Sequence, residues 1–196
     1  MKRVEIKDNY EDLSVYAARF VAQEILTRNE AVLGLPTGET PAKAYDFLVE
    51  YYQEDLLDFS HVTTFNLDEY YPIKKEDEKS FYRYMKEKLY DRVNLPDQRR
   101  HIPDGTIPRT EVDRHCRDYE RKISEAGGID LQVLGIGENG HIGFNEPGTE
   151  LDTETNLVRL KTETVEEKFE GVSDPPTHAI TMGVKTIMRA DEILLL

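Results

Sequence analysis

In 196 residues there is room for one domain with a buried core, which is enough for an enzyme. Hydrophobic residues are 38% and charged residues 33% of the chain, and no apolar run approaches the roughly 18 residues that cross a bilayer, so a structural fibre and a membrane protein are excluded. With 25 Lys and Arg against 39 Asp and Glu, the net charge of −14 repels the phosphates of nucleic acid and anionic lipid, so neither nucleic acid nor a membrane is an expected partner.

Leu13, Tyr16, Ala17, Phe20, Val21 and Ile25 recur at steps of three and four, which predicts a helix from Leu13 to Leu26 with one buried stripe. Ala31 to Leu35 is a short apolar run closed by Pro36-Thr37-Gly38; Thr40-Pro41 then offers an N-cap and a first-turn proline. That pattern reads as strand, tight loop and a helix from Pro41 to about Tyr52. The β-branched and aromatic run His61 to Leu67 is the next strand, ending at Asp68-Glu69. Helices are expected over Ser80 to Tyr90 and Glu111 to Ala126, the latter stopped by Gly127-Gly128, and a third strand over Ile129 to Leu134. A last helix near Thr181 to Arg189 leads to a fourth strand, Glu192 to Leu196. Strands separated by helices predict a single-domain α/β fold, an open, mostly parallel sheet with helices on both faces. Cys116 is alone and packs within a helix, and the start Met-Lys-Arg-Val-Glu-Ile-Lys lacks the apolar stretch of a signal peptide, so the expected location is the cytoplasm.

In such a sheet chemistry is expected just beyond the carboxyl ends of the strands. Three segments there carry the unusual residues. The loop Pro36 to Pro41 offers free N–H groups at a helix start, hydroxyls from Thr37 and Thr40, and Gly38 to let an anion approach; it suits a phosphate, and it also suits an ordinary capped helix. Asp68 and Glu69 point opposite ways along a strand, so one carboxylate faces the crevice while the other faces solvent or a helix. Asp68 is a candidate general base, with a cap or turn former as the bland alternative. The third segment, Gly135-x-Gly137-x-x-Gly140, matches the dinucleotide fingerprint, but Gly143, Pro147 and Gly148 forbid the uninterrupted helix that the fingerprint requires. These glycines instead let a loop fold around His141, which Glu146 can tune to act near neutral pH. One Cys and five scattered His leave no strong metal-ligand set, and the acidic stretches Lys74 to Lys79 and Glu163 to Glu170 read as solvated faces.

Together these segments resemble the glucosamine-6-phosphate deaminase (glucosamine-6-phosphate isomerase) family. The resemblance rests on Leu33-Gly34-Leu35-Pro36-Thr37-Gly38, on Phe65-Asn66-Leu67-Asp68-Glu69-Tyr70, on Leu134-Gly135-Ile136-Gly137-x-Asn139-Gly140-His141-Ile142-Gly143-Phe144-Asn145-Glu146-Pro147-Gly148, and on Ala179-Ile180-Thr181-Met182-Gly183. The His-Ile-Gly-Phe-Asn-Glu-Pro block is specific and argues against the related 6-phosphogluconolactonases. The family converts an amino-sugar 6-phosphate and water to a ketose 6-phosphate and ammonia without a redox cofactor. The resemblance implies that His141 opens the sugar ring with Asn139 and Glu146 in support. It makes Asp68 the base that moves a proton from C2 to C1, and it seats the 6-phosphate on Thr37, Gly38, Glu39 and Thr40.

The chain also departs from the pattern. Asn139 stands where many members have Asp, and Glu39 where a small residue is usual; the segment from Thr162 to Pro176 is short, and no residue matches the phosphate-binding arginine, for which Lys168 is a poor substitute. The family's next stretch after this last strand carries a phosphate lysine. The 196 residues alone are therefore expected to bind sugar phosphate weakly and turn over slowly, unless a partner chain or a basic residue such as Lys43 or Lys168 completes the site. Thr149 to Leu160 holds Arg159 as its only cation, with Asn156 and Val158 at the basic positions of regulated members, so no activation by an acetylated amino-sugar phosphate is expected. A galactosamine-6-phosphate deaminase, a non-catalytic sugar-phosphate-binding protein of the same fold, and a nicotinamide dehydrogenase stay open beside the main reading, as does a homo-oligomer.

Overall fold

The computed structural model describes residues 3–196. Helix α1 (Tyr10–Thr27) starts at Asn9, whose side chain accepts from the Asp12 N–H, and buries Ala17, Ala18, Val21, Ala22 and Ile25. Strand β1 (Val32–Leu35) is buried throughout and enters α2 (Glu39–Gln53). Beyond it lie β2 (Thr63–Asn66), β3 (Asp68–Tyr71) and α3 (Phe81–Lys88), the last capped by Ser80. A short β4 (Arg100–His101) precedes α4 (Val112–Glu125) and β5 (Leu131–Leu134). The chain continues through β6 (Asn156–Arg159), α5 (Thr162–Lys168), β7 (His178–Thr181), α6 (Val184–Met188) and β8 (Glu192–Leu195). Among the described residues no helix is long and apolar enough to cross a membrane.

Five strands form a parallel sheet in the order β4-β2-β1-β5-β8, with Leu35 level with Asn66 and Leu134 with Leu195. Alternation of side chains divides its core in two. Leu33, Leu35, Leu131 and Val133 pack under α1 and α2, whereas Val32, Phe65 and Leu134 face Tyr119, Ile123 and Ile187 of α4 and α6. Helices therefore cover both faces, as the alternating pattern of strands and helices predicts, and Cys116 is buried in α4.

A second, antiparallel sheet of order β3-β7-β6 stands outside that pattern. Leu67 alone separates β2 from β3: its N–H donates to Leu35 O at 3.1 Å in the large sheet, and its carbonyl accepts from Met182 N at 2.7 Å beside the small one. The single strand expected over His61 to Leu67 is thus followed at once by a strand in another sheet. The helix expected from Thr181 starts later because Thr181 pairs with Asp68 and Asn156, and Gly183 passes so close to the Thr153 carbonyl that a Cβ would sit 2.2 Å from its oxygen. The acidic stretch after Thr162 is not only a solvated face: it forms α5, and Phe169 at its end is buried against Tyr70.

Candidate active site

The order β4-β2-β1-β5-β8 reverses direction between β1 and β5, and the crevice of an open sheet lies at that point, outside the carboxyl ends. The segments following β1, β2 and β5 carry Thr37 to Thr40, Asp68, Asn139, His141 and Glu146, the site residues expected from the sequence. After β1, Gly38 is itself the N-cap of α2, with φ 107°, and Glu39 is the first helical residue, so the expected cap at Thr40 is corrected by two positions. A residue with a Cβ resists that φ, and Gly38 does not, so the helix starts there. Three tyrosines hold the loop by its carbonyls: Tyr45 Oη donates to Pro36 O at 2.5 Å, Tyr84 Oη to Gly38 O at 2.5 Å and Tyr10 Oη to Glu39 O at 2.6 Å. The first-turn N–H groups of α2 lack intrahelical partners and lie beside the exposed side chains of Glu39 and Thr40. Lys43 pairs with Glu11, and Lys168 with Glu167 at 2.6 Å, so each of the two candidate phosphate lysines is engaged locally by a carboxylate.

Asp68 opens β3 directly across from Thr181. Asp68 is 6% exposed and no donor meets its carboxyl among the described residues; burial, and then the charge of Glu69, push its pKa up to about 8. Glu69 points the other way, to the start of α3, where it accepts from Ser80 Oγ at 2.8 Å and from the Phe81 and Tyr82 N–H groups at 2.9 Å each. Burial raises its pKa even against those bonds. The two carboxylates divide as strand alternation predicts, one toward the crevice loops and one toward a helix.

After β5 no helix forms, which removes the dinucleotide fingerprint. The loop instead turns on itself, Gly137 N donating to His141 O at 2.9 Å, and the His141 ring lies flat on Gly137, where a Cβ would come within 2.1 Å of its Cε1. Gly143, at φ +56°, lies over the small sheet: a Cβ there would stand 3.0 Å from Thr181 Oγ1 and 3.3 Å from Asp68 Oδ2. The His141 loop and Asp68 are therefore packed together.

His141 and Glu146 do not touch, which corrects the expectation of a direct pair. Asn139 lies between them, its Nδ2 donating to Glu146 Oε2 at 2.9 Å and its Oδ1 standing 2.7 Å from His141 Nδ1. A carboxylate only accepts, so Asn139 must turn its amide hydrogens to Glu146 and its oxygen to the ring. In the neutral ring Nδ1 then carries the hydrogen, and Nε2 keeps a free lone pair. Burial tends to raise the Glu146 pKa, but Lys161, with Nζ 2.6 Å from Oε2, together with Asn139 and His141, holds it below the ordinary value. Lys161, Thr181 and the three loop tyrosines were not singled out from the sequence. Lys161 has no spacing signal, whereas Thr181 sits inside the segment Ala179 to Gly183 already noted, which is buried throughout.

Residues 7–196 match the family described as glucosamine-6-phosphate isomerases/6-phosphogluconolactonase. The chain belongs to that family. The glucosamine-6-phosphate deaminase of Alkaliphilus oremlandii strain OhILAs is 47% identical over 98% of this chain and 80% of its own length. Its counterpart in Halothermothrix orenii strain H 168 is 48% identical over 99% and 81%. A solved monomeric glucosamine-6-phosphate deaminase superposes with a TM-score of 0.92 at 39% identity, covering 100% of this chain and 81% of that one. The 6-phosphogluconolactonase of Thermotoga maritima, with a TM-score of 0.74 at 22% identity, shares the fold.

Proposed function

We propose that the chain is an amino-sugar-phosphate deaminase, converting glucosamine 6-phosphate and water to fructose 6-phosphate and ammonia. The observation that carries this reading is the packing of the His141 loop onto Asp68: an imidazole oriented by Asn139 and a carboxyl with no donor among the described residues stand at one crevice. Two relatives that share nearly half the residues of this chain are themselves glucosamine-6-phosphate deaminases.

His141 Nε2 takes the proton of the anomeric hydroxyl and returns one to the ring oxygen, opening the pyranose, while Asn139 and Glu146 hold the ring and stabilise its charged form. Ionised Asp68 then removes the C2 proton and delivers it to C1. With a second proton passing from the C2 nitrogen to the C1 oxygen, this leaves an imine at C2 and a hydroxyl at C1, and addition of water followed by loss of ammonia yields the ketose. The phosphate is held by the Thr37 to Thr40 turn, where the α2 dipole offers local positive potential within a negative protein.

Ammonia release on adding glucosamine 6-phosphate tests the function, with galactosamine 6-phosphate in parallel to separate the C4 epimers. Release from neither sugar would leave a binding protein of the same fold.

A further inference from the structure

Glu146 Oε2 is shared by two donors from different parts of the chain: Asn139 of its own loop and Lys161 from the junction of β6 and α5. Among the described residues Lys161 is the only group outside the loop that touches the Glu146 side chain, and the charged or titratable groups facing that carboxylate are His141 and Lys161. The contact is an exposed one, with the two side chains 46% and 35% accessible, and pairs of this kind add little to folding stability. Its effect is to be sought in the site. Two bonds hold the Asn139 amide with its oxygen toward His141: the His141 backbone N–H donates to Oδ1 at 3.1 Å, and Nδ2 donates to Glu146. If Glu146 swings away, only the His141 N–H still holds the amide against reversal; a reversed amide offers its hydrogens to Nδ1, which moves the imidazole hydrogen to Nε2 and removes the lone pair from the crevice.

We propose that Lys161 is a positioning residue of the deaminase reaction: it anchors Glu146, and through Asn139 it sets the orientation and tautomer of His141. The inference rests on the function proposed above. It is tested with Lys161→Met and Lys161→Arg, following kcat, KM and the pH profile of ammonia release from glucosamine 6-phosphate. The expected result for Lys161→Met is a kcat lower by roughly 10-fold, part of the about 100-fold or more that a positioned acid or base supplies, with KM nearly unchanged. The acid limb should also move to higher pH, because Glu146 without its cation protonates earlier as the pH falls. Lys161→Arg should restore most of both.

Unchanged kcat and pH profile in Lys161→Met would overturn the proposal. So would a raised KM with kcat and profile intact, which would make Lys161 a substrate contact. The ¹⁵N shifts of the His141 ring, read without substrate, separate this from failure of the functional reading. A wild-type Nδ1–H tautomer that loses its preference in Lys161→Met supports the positioning role even in a chain that releases no ammonia. Equal tautomer populations in the two proteins overturn it.

Discussion

Asp68 is a carboxylic acid whose protonation changes in the range where the protein works. Burial and the neighbouring Glu69 hold its pKa near about 8, so the ionised base is a minor form at pH 7 and kcat/KM should climb through pH 8. A flat profile from pH 6 to pH 9 would remove Asp68 from that role. The same shift has a cost in stability. The unfolded carboxyl ionises near pH 3.9, so between that value and about 8 the folded state holds the extra proton, and stability falls as the pH rises through this window. Asp68→Asn abolishes the slope. Relative to the parent, the variant should gain on the order of 2 to 3 kcal/mol between pH 6 and pH 8 in urea titrations, while its turnover falls by orders of magnitude with KM little changed. For His141→Gln the division of labour predicts a larger loss on the closed-ring substrate than on an open-chain analogue; equal losses would assign the histidine to both steps. Gly143→Ala and Gly148→Ala both strain a positive φ, but only the first pushes a methyl toward Asp68 Oδ2 and Thr181 Oγ1, so it should damage turnover more than the second, whose Cβ meets nothing within 4 Å.

Among the elements, α3 depends on a residue that lies outside it. Glu69 accepts four bonds, three from backbone N–H groups of Tyr70, Phe81 and Tyr82 and one from Ser80. Replacing it with Ala leaves the Tyr70 and Phe81 N–H groups and Ser80 Oγ without this acceptor, while the Tyr82 N–H keeps Ser80 Oγ at 3.1 Å, at about 1 to 3 kcal/mol for each orphaned donor that water cannot reach. The urea midpoint of Glu69→Ala should therefore fall well below that of a surface control such as Glu87→Ala, with m unchanged. The edge strand β6 carries Arg159 as its only cation, and hyperbolic kinetics unaffected by an acetylated amino-sugar phosphate are expected of it. The large sheet was legible because its strands are short apolar runs between helices with clear periodicity, as in Val32–Leu35 and Leu131–Leu134. The small sheet was not. Its strands are four residues long and contain Asp68, Glu69, Asn156, Arg159 and His178, so burial comes from cross-strand partners far away in sequence, which no local pattern announces. The site divided in the same way. Asp68, Asn139, His141 and Glu146 stood out as chemistry-bearing residues at strand ends, but the insertion of Asn139 between the histidine and the carboxylate depends on the fold of a glycine-rich loop, and Lys161 arrives from the unforeseen sheet.

At the scale of the whole molecule, a net charge of −14 opposes the approach of a sugar phosphate, while under the proposed assignment the start of α2 attracts it over a few ångströms. Salt screens the distant repulsion before the close contact, so KM should fall as ionic strength rises from 0.01 M to 0.15 M, where the Debye length shrinks from about 30 to about 8 Å. A KM that only rises with salt would show that the local phosphate contacts dominate at every range. The seam between the two sheets has a further consequence. The proposed phosphate turn follows β1 of the parallel sheet and Asp68 belongs to the antiparallel one, and Leu67, bonded to Leu35 beside that turn on one side and to Met182 on the other, is all that separates β2 of the first sheet from β3 of the second along the chain. Under the proposed assignment that single residue works as a ruler. It fixes how far the reacting carbons stand from the phosphate, so a sugar one carbon shorter, anchored by the same end, would hold its C2 hydrogen out of reach of the carboxylate however tightly it bound.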